Sequence, residues 1–245
     1  MVDQTMVLVT RTGSDGERLT RALRQAGWDA LHCPPVRLEG PENAEAVARR
    51  LAEVLPVERI IMTSGEAIRQ AVALVGHEVM SSIPVIVPGP GSARRARDLG
   101  LESVVSPESA GNSEAMLALP ELNDVEGRSI AILAAAGGRA LLETELRRRG
   151  ARVERIHVYR RLDQALPEGL DQRIHQARQL TTLISSGGAL LALESRLKPE
   201  SWQKVLAGRV VAPSPRVAEM ATRSGCRNVV QADGADDKSM LKALG

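Results

Sequence analysis

Short β-branched segments alternate along this chain with helical segments that end at glycine, and this alternation is what most limits its fold. Residues 127–161 are the clearest example, because they read as strand, glycine turn, helix, glycine stop and strand. Such alternation is typical of parallel sheets covered by helices on both faces. About ten strand candidates follow one another, and two sheets of ordinary size accommodate these more easily than one. The sequence therefore predicts an α/β fold with two doubly wound parallel-sheet domains.

Weak internal similarity supports two related halves. Residues 60–65 (IIMTSG) resemble residues 183–187 (LISSG). Residues 88–100 resemble residues 213–225, since each segment has a proline turn, a serine and a helical stretch ended by glycine. Both repeats place a hydroxyl at the carboxyl end of a strand, immediately before a helix.

The charged and aromatic composition indicates a small anionic ligand rather than a nucleic acid. The 245 residues include 28 Arg, 4 Lys, two Trp, one Tyr and no Phe, with a formal net charge of +2. The chain has no long basic stripe and few rings on which bases could stack, which argues against nucleic-acid binding. Arginine, by contrast, suits carboxylates through its fork of N–H donors.

Several other classes of protein lack their sequence signals here. No apolar run reaches the ~20 residues of a membrane span, and the first residues do not form a signal peptide pattern. Cys33 and Cys226 lack metal-ligand spacing, and the four histidines are scattered. Neither a dinucleotide fingerprint nor a phosphate loop is present. We therefore expect a cytoplasmic protein without membrane contact, metal ion or cofactor.

The turns that follow the predicted strands are the candidate binding sites. In doubly wound folds, ligands bind outside the carboxyl ends of the strands. Free N–H groups at the helix starts there favour anions. Serine is also an ordinary helix cap, so each single turn has a purely structural alternative, and only the recurrence favours an anion site. The candidate binding residues are Arg11, Ser64, Gly65, Ser92, Gly138, Arg139, Ser185, Ser186, Ser214 and Arg216.

Tyr159 is the candidate catalytic residue. It is the single tyrosine and lies late in a predicted strand. A tyrosine phenol keeps its proton at neutral pH and can donate it to a departing oxygen. His157 would share its face of a regular strand. The alternative is a tyrosine that only packs at an interface.

Residues 127–161 resemble the uroporphyrinogen-III synthase family. The resemblance lies in Gly137-Gly138-Arg139, Arg149-Gly150-Ala151 and Val158-Tyr159-Arg160-Arg161. Further similar motifs extend it over essentially the full chain: VLVTR at 7–11, MTS at 62–64, GPGSA at 89–93, SPR at 214–216 and ADD at 235–237. One departure stands out. Ala134-Ala135-Ala136 occupies the place where the family often has R-G-x, so an arginine that could contact a substrate carboxylate is absent.

The resemblance implies an architecture and an activity. It implies one α/β domain from residues 1–35 plus 163–245 and a second from residues 36–162, joined by a two-strand linker. Residues 29–33 and 152–160 would be the linking strands, with Tyr159 at the edge of a cleft. The implied activity is that of a lyase without a cofactor, which cyclises hydroxymethylbilane with inversion of the last pyrrole ring and loss of water.

Roles and partners also follow from the resemblance. Tyr159 would be the acid, and single replacement of Ser64, Ser92 or Ser185 would cost less activity because backbone amides share the binding. The protein would be a monomer that contacts hydroxymethylbilane synthase transiently. The alternative function is a non-catalytic module that binds a tetrapyrrole or another polycarboxylate anion, and the Ala134–Ala136 departure favours it.

Overall fold

The computed structural model describes residues 5–108, 112–138 and 140–245. The strands within these residues, in chain order, are β1 (Thr5–Val9), β2 (Asp29–His32), β3 (Val36–Glu39), β4 (Arg59–Met62), β5 (Val85–Ile86), β6 (Val104–Val105), β7 (Ser129–Ala135), β8 (Arg152–Asp163), β9 (Gln179–Leu183), β10 (Arg209–Ala212) and β11 (Asn228–Gln231). The helices are α1 (Gly13–Gln25), α2 (Ala44–Val54), α3 (Gly65–Val75), α4 (Pro90–Asp98), α5 (Ser113–Leu117), α6 (Leu141–Arg148), α7 (Leu170–Gln176), α8 (Gly187–Glu194), α9 (Pro199–Ala207), α10 (Pro215–Arg223) and α11 (Asp237–Lys242). A 3₁₀ turn spans Pro120–Leu122.

The chain divides into two compact units. Unit 1 comprises Met1–Arg37 and Leu162–Gly245, and unit 2 comprises Leu38–Arg161. Both divisions fall inside strands, because β3 and β8 each continue across them. The domain limits expected from the sequence lie at 35/36 and 162/163.

Unit 1 is built on a parallel sheet of five strands in the order β11-β10-β9-β1-β2. Successive side chains of a strand point to opposite faces. Accordingly, Met6 and Leu8 pack with residues of α7 to α10, whereas Val7 and Val9 pack with residues of α1 and α11. Burying each Leu or Val side chain is worth roughly 1.5–3 kcal/mol. The two-sided apolar pattern of β1 therefore requires helices on both faces of this sheet.

Unit 2 follows the same principle with six strands in the order β3-β8-β7-β4-β5-β6. Ile60 and Met62 face α2, α3 and α4, whereas Ile61 faces α5 and α6. The pairs β4–β5, β5–β6, β4–β7 and β7–β8 are parallel. Two parallel-dominated sheets covered by helices confirm the predicted fold class.

The sequence-based prediction of one of the two linking strands was wrong. Residues 29–33 were expected to link the domains, but β2 pairs with β1 at the edge of the unit 1 sheet. Pro34 and Pro35 follow β2, and β3 starts directly after them at Val36, so β3 is the strand that crosses the division together with β8. The backbone N–H of Gln164 donates to the carbonyl of Pro35 at 3.1 Å, which ties the two crossing segments together.

Three elements were not anticipated from the sequence: β3, α5 and α9. The start of α9 carries a recognisable signal, since Pro199 occupies the first turn with Glu200 beside it. The other two elements are short, since β3 spans only four residues and α5 only five.

Each sheet has one point where the order of its strands reverses. In unit 1, the chain that follows β1 continues to β2 on one side of the sheet, and the chain that follows β9 continues to β10 on the other side. The reversal therefore lies between β1 and β9. In unit 2 the corresponding reversal lies between β4 and β7. Ligands of open α/β sheets bind at the carboxyl ends of the strands at such points. The turns after β1, β9, β4 and β7 are therefore where the fold favours a site.

A pH-dependent ion pair stabilises the opposite end of the unit 2 sheet. Glu58 accepts hydrogen bonds from the guanidinium of Arg128 and from the backbone N–H of Ser129 at 2.8 Å. The Arg128 guanidinium, followed by that N–H, lowers the pKa of Glu58 from 4.5 to about 2. A lowered folded-state pKa stabilises the protein above the unfolded value, and this stabilisation is lost as the carboxylate is protonated.

We therefore expect Glu58→Gln to destabilise the protein above about pH 5, with the difference from wild type disappearing between about pH 4.5 and pH 2. Urea unfolding followed by far-UV circular dichroism at pH 6, 4, 3 and 2 measures this. Glu53→Gln is the control, because it removes a more exposed pair with Arg50, and such pairs contribute little. A Glu58→Gln difference that is the same at all four pH values would contradict the expectation.

Candidate functional site

A hydrogen bond between Tyr159 and Ser64 marks the candidate site of unit 2. The phenol oxygen of Tyr159 lies 3.0 Å from Oγ of Ser64, although the two residues are 95 positions apart. Ser64 lies two residues after the end of β4 and caps α3, and Tyr159 lies on β8 with β7 between the two strands. The pair therefore lies at the carboxyl ends of β4 and β7, where unit 2 reverses its strand order.

An irregularity in the pairing of β7 and β8 turns the Tyr159 ring into the core. The register pairs Ala134 with His157 but Ala135 with Tyr159, so one residue of β8 is skipped. A bulge of this kind breaks the alternation of side chains. As a result, Val158 and Tyr159 are both buried in the cluster that faces α2 to α4, and Tyr159 is 2% exposed. His157 is exposed and does not share the face of Tyr159, contrary to the regular-strand expectation.

The tyrosine phenol has a cationic neighbour. A guanidinium N–H of Arg161 donates to the phenol oxygen at 3.4 Å, and the guanidinium carbon lies 5.9 Å from the ring centroid. Negative charge that develops on the oxygen during proton donation is stabilised by such a group. Arg161 was absent from the candidates read from the sequence, although its place two residues after Tyr159 was visible.

The start of α3 provides donors beside this pair. Oγ of Ser64 accepts from the N–H of Ala67 at 3.1 Å, and the carbonyl of Ser64 accepts from Ile68. The N–H groups of Gly65 and Glu66 precede these bonds and point out of the helix end, where anions are favoured. A Cβ at Gly65 would lie 3.2 Å from Cδ of Arg95, so the glycine allows this arginine to approach the helix start closely.

Ser92 lies inside a helix rather than before it. The expected helix began at Ser92, but α4 begins at Pro90 with Gly89 as its cap. The reason is that proline suits the first helical position, where its missing N–H is not needed. Ser92 is therefore in the first turn, where its N–H precedes the first intrahelical bond from Ala93 to Gly89.

The glycine turn after β7 is held by an arginine of the neighbouring strand. Gly137 has a φ of +71°, a conformation that favours glycine. The carbonyl of Gly138 accepts from Arg155 at 2.9 Å, and Arg155 also pairs with Glu143 of α6 at 3.5 Å. Arg155 was not anticipated from the sequence, and its effect is to fix the turn. Arg139 lies outside the described residues.

In unit 1, a network of hydroxyl groups joins the ends of β1 and β9. Thr10 is fully buried, and its Oγ1 donates to the carbonyl of Leu183 at 3.0 Å and accepts from the N–H of Ser185 at 3.0 Å. Oγ of Ser185 donates to the carbonyl of Thr10 at 3.2 Å. Ser185 is thus at the strand reversal of unit 1, and its hydroxyl is already used within the fold.

Arg11 is bound within unit 1. Its guanidinium pairs with Asp237 at 2.6 Å and also donates to the carbonyl of Ala235. Asp237 is in turn bound by Arg18 of α1 at 2.8 Å. Arg11 therefore joins the turn after β1 to the start of α11.

The remaining predicted residues of unit 1 lie at two helix starts. Ser186 and Ser214 cap α8 and α10 by accepting from Ala189 at 3.2 Å and Val217 at 3.4 Å. Arg216 is exposed in the first turn of α10 and has no ion-pair partner among the described residues. A guanidinium placed in this way is available to an anionic ligand.

Metal and membrane chemistry find no support in the described part of the chain. Among its residues, no group of three or more His, Cys, Asp or Glu is placed to hold a metal ion. No helix of residues 5–108, 112–138 or 140–245 is long and apolar enough to cross a bilayer. Cys33 and Cys226 are unpaired and buried, and burial raises the pKa of the Cys33 thiol to about 12.

Fold and site together define a two-unit α/β protein with hydroxyl- and amide-rich turns at its strand reversals. The chain matches the family described as Uroporphyrinogen-III synthase HemD from residue 17 to residue 242, and it belongs to that family. This confirms the resemblance read from the motifs, and the family is one of lyases.

Individual relatives agree with this assignment. The uroporphyrinogen-III synthase of Escherichia coli (strain K12) is 28% identical over 244 residues, covering 97% of this chain and 99% of the relative. That of Proteus mirabilis is 30% identical over 160 residues, covering 64% of this chain and 80% of the relative.

Two solved structures share the fold. A mutant uroporphyrinogen III synthase from the extremely thermophilic bacterium Thermus thermophilus aligns with a TM-score of 0.65 at 20% identity, covering 98% of this chain and 96% of that one. The enzyme from Helicobacter pylori 26695 aligns with a TM-score of 0.62 at 12% identity, covering 98% and 97%.

Proposed function

We propose that this chain is a uroporphyrinogen-III synthase, which converts hydroxymethylbilane to uroporphyrinogen III with inversion of the last pyrrole ring and loss of water. The observation that carries the proposal is the Tyr159–Ser64 pair at the strand reversal of unit 2, in a chain that matches the family over almost its whole length. A proton donor placed there suits a reaction that begins with a departing hydroxyl.

The reaction requires positioning more than covalent catalysis. Loss of the terminal hydroxyl gives a reactive azafulvene, and the free bilane then closes spontaneously to the non-inverted isomer. The protein must therefore hold the chain so that the inverting carbon is nearest, which is an effect of proximity and orientation. We propose that Tyr159 is the source of the proton for the departing hydroxyl.

We propose that the turns after the strands bind the carboxylates of the substrate. Gly65 and Ser92 in unit 2, and Ser186, Ser214 and Arg216 in unit 1, are proposed contacts for acetate and propionate groups. Ser64 is a proposed contact of the bilane beside them, whereas the hydroxyl of Ser185 is already bonded to Thr10. Gly138 and Arg11 are held by bonds within their units, so we propose that they shape the turns. Arg139 remains a proposed contact on sequence grounds alone.

The absence of the R-G-x arginine does not favour a merely binding module. Ala135 stands directly opposite Tyr159 in the register and belongs to the same buried cluster. A methyl group at this position leaves room for the phenol ring to reach across β7 to Ser64. The departure at Ala134–Ala136 is therefore compatible with the proposed acid.

We also propose a cytoplasmic, monomeric enzyme that contacts hydroxymethylbilane synthase transiently. Two unpaired, buried thiols suit a reducing compartment. Free hydroxymethylbilane cyclises spontaneously to the non-inverted isomer. Transfer over a short distance between the two enzymes would limit the loss of substrate by this side reaction.

The test is a coupled assay with hydroxymethylbilane synthase, with the product isomers resolved by chromatography after oxidation to porphyrins. We expect the purified chain to yield type III product, whereas the synthase alone yields the type I isomer. A sample with heat-denatured protein is the control. Type I as the sole product in the presence of folded protein would contradict the proposal.

A further inference from the structure

The direction of the hydrogen bonds around Tyr159 can be assigned from its neighbours. Among the described residues, the phenol oxygen has two partners, Oγ of Ser64 at 3.0 Å and Nη2 of Arg161 at 3.4 Å. A guanidinium can only donate, and a phenol carries a single proton. The phenol oxygen therefore accepts from Arg161. Its buried proton is paired only when it points to Ser64, the other partner among the described residues, and an unpaired buried donor is costly.

The same reasoning fixes the proton of Ser64. Its oxygen accepts from Tyr159 and from the backbone N–H of Ala67 at 3.1 Å, and these bonds use both of its acceptor positions. The hydroxyl proton of Ser64 is then left to donate to a further group. Both bonds to Ser64 thus favour a proton that points away from the core.

Burial distinguishes the two hydroxyl groups. Tyr159 is 2% exposed, within a cluster of aliphatic side chains, whereas Ser64 is partly exposed at the start of α3. A bilane can reach Ser64 without displacing the packing around the phenol ring. For the bilane to contact the phenol directly, either the side chains packed around the ring or Arg161 would have to move.

We propose that Ser64 is a further catalytic residue, which passes the proton of Tyr159 to the departing hydroxyl of the bilane. This inference rests on the proposed function. The Ser64 proton moves to the hydroxyl oxygen of the bilane, and the carbon–oxygen bond breaks with its electron pair on oxygen. The water molecule departs, and a cationic azafulvene remains. The Tyr159 proton moves to Oγ of Ser64, and Arg161 stabilises the phenolate.

The relay is restored when the ring closes. The pyrrole carbon that forms the final bond loses its proton, and this proton returns to the phenolate through Ser64. One proton is therefore taken up at the first step and released at the last, without a co-reactant. Under this proposal Ser64 matters as much as Tyr159, whereas the sequence-based expectation was that its replacement would cost less.

The proposal makes the two hydroxyl groups act in series, which a double-variant cycle measures. We expect Ser64→Ala to lower kcat by about 10²–10⁴-fold, similar to Tyr159→Phe, because both remove the same proton path. The double variant should lose little more than either single variant, since residues acting as a unit are non-additive. Ser64→Thr, which keeps a hydroxyl, should remain within a few-fold of wild type.

Two further variants separate the relay from helix capping. Ser64→Asn keeps a capping side chain but has no hydroxyl, so we expect it to be stable and slow. Asn43→Ala is the matched control, because Asn43 caps α2, another eleven-residue helix of unit 2, by accepting from Ala46 at 2.9 Å. It should lower the urea midpoint of unfolding, as the loss of a helix cap does, and keep its turnover.

A solvent isotope measurement adds a readout that a structural role would not change. With two protons in motion, the wild-type rate should depend on the deuterium fraction with a curved proton inventory, and Ser64→Ala should lose this curvature. Wild-type-like turnover of Ser64→Ala beside a slow Tyr159→Phe would overturn the relay, as would losses that multiply in the double variant. Failure of the wild type to give type III product would instead refute the proposed function.

Discussion

Tyr159→Phe is expected to lower the turnover number by about 10²–10⁴-fold, the contribution typical of a general acid. The substitution removes one oxygen and keeps the ring, which packs in the aliphatic cluster of unit 2. The loss of its hydrogen bonds should cost only about 0.5–1.5 kcal/mol of stability for each neutral bond. Initial rates of bilane consumption in the coupled assay, corrected for spontaneous closure, measure the effect.

The isomer ratio gives an independent reading of the same variant. If Tyr159 supplies the proton and the turns position the chain, the product that Tyr159→Phe still forms on the enzyme should remain type III. Ser129→Ala is a suitable control, because it removes a hydroxyl from the amino end of β7 in the same unit. Turnover of Tyr159→Phe within a few-fold of wild type would leave Tyr159 with a positioning role alone.

Gly16→Ala is expected to lower the free energy of unfolding of unit 1 by about 1–3 kcal/mol or more, the range for overpacked positions. A Cβ at Gly16 would lie 1.9 Å from the carbonyl oxygen of Arg11 and 2.4 Å from Nε2 of His32. These atoms are themselves 2.7 Å apart, in a hydrogen bond that joins β2 to the turn after β1. Because a backbone oxygen cannot move away as a flexible side chain can, α1 must shift.

The sign of this effect makes the test decisive, since replacing glycine by alanine inside a helix ordinarily stabilises by roughly 0.5–1 kcal/mol. Gly188→Ala is the matched control, because Gly188 lies in the first turn of α8 in unit 1 and its Cβ would meet no atom closer than Oγ of Ser186 at 3.9 Å. Trp28 and Trp202 both belong to unit 1, so tryptophan fluorescence in urea follows the unit that carries Gly16. Equal stability of the two variants would contradict the expectation.

The fold class was readable because it depends on local periodicity. Residues such as those of β1 and β4 are apolar on both faces, and glycine ends the neighbouring helices, so alternation alone indicated covered parallel sheets. The limits of the linking strand could not be predicted from the sequence, because β2 and β3 are adjacent in the chain and only a short segment containing Pro34 and Pro35 separates them. Which side of that segment joins which sheet depends on pairing with β1 and β8, which are distant in sequence.

The site was only partly predictable. The serine caps at Ser64, Ser186 and Ser214 follow from local sequence, and all three accept from the N–H three residues later, as helix caps do. The contact of Ser64 with Tyr159 depends on the strand order β8-β7-β4 and on a bulge, and a bulge leaves no period-two signal to read. A regular strand would instead have paired Tyr159 with the face of His157.

The division of the chain also has a consequence for its synthesis on the ribosome. Unit 2 is one continuous stretch, Leu38–Arg161, whereas unit 1 needs both ends of the polypeptide. Its strand β1 is made first, yet β9, the central strand of the sheet and a parallel neighbour of β1, emerges about 170 residues later. The nascent amino-terminal segment can pair β1 with β2 but must wait for β9 while the middle of the protein folds. One edge of its apolar strand is exposed to aggregation and to chaperones during that interval.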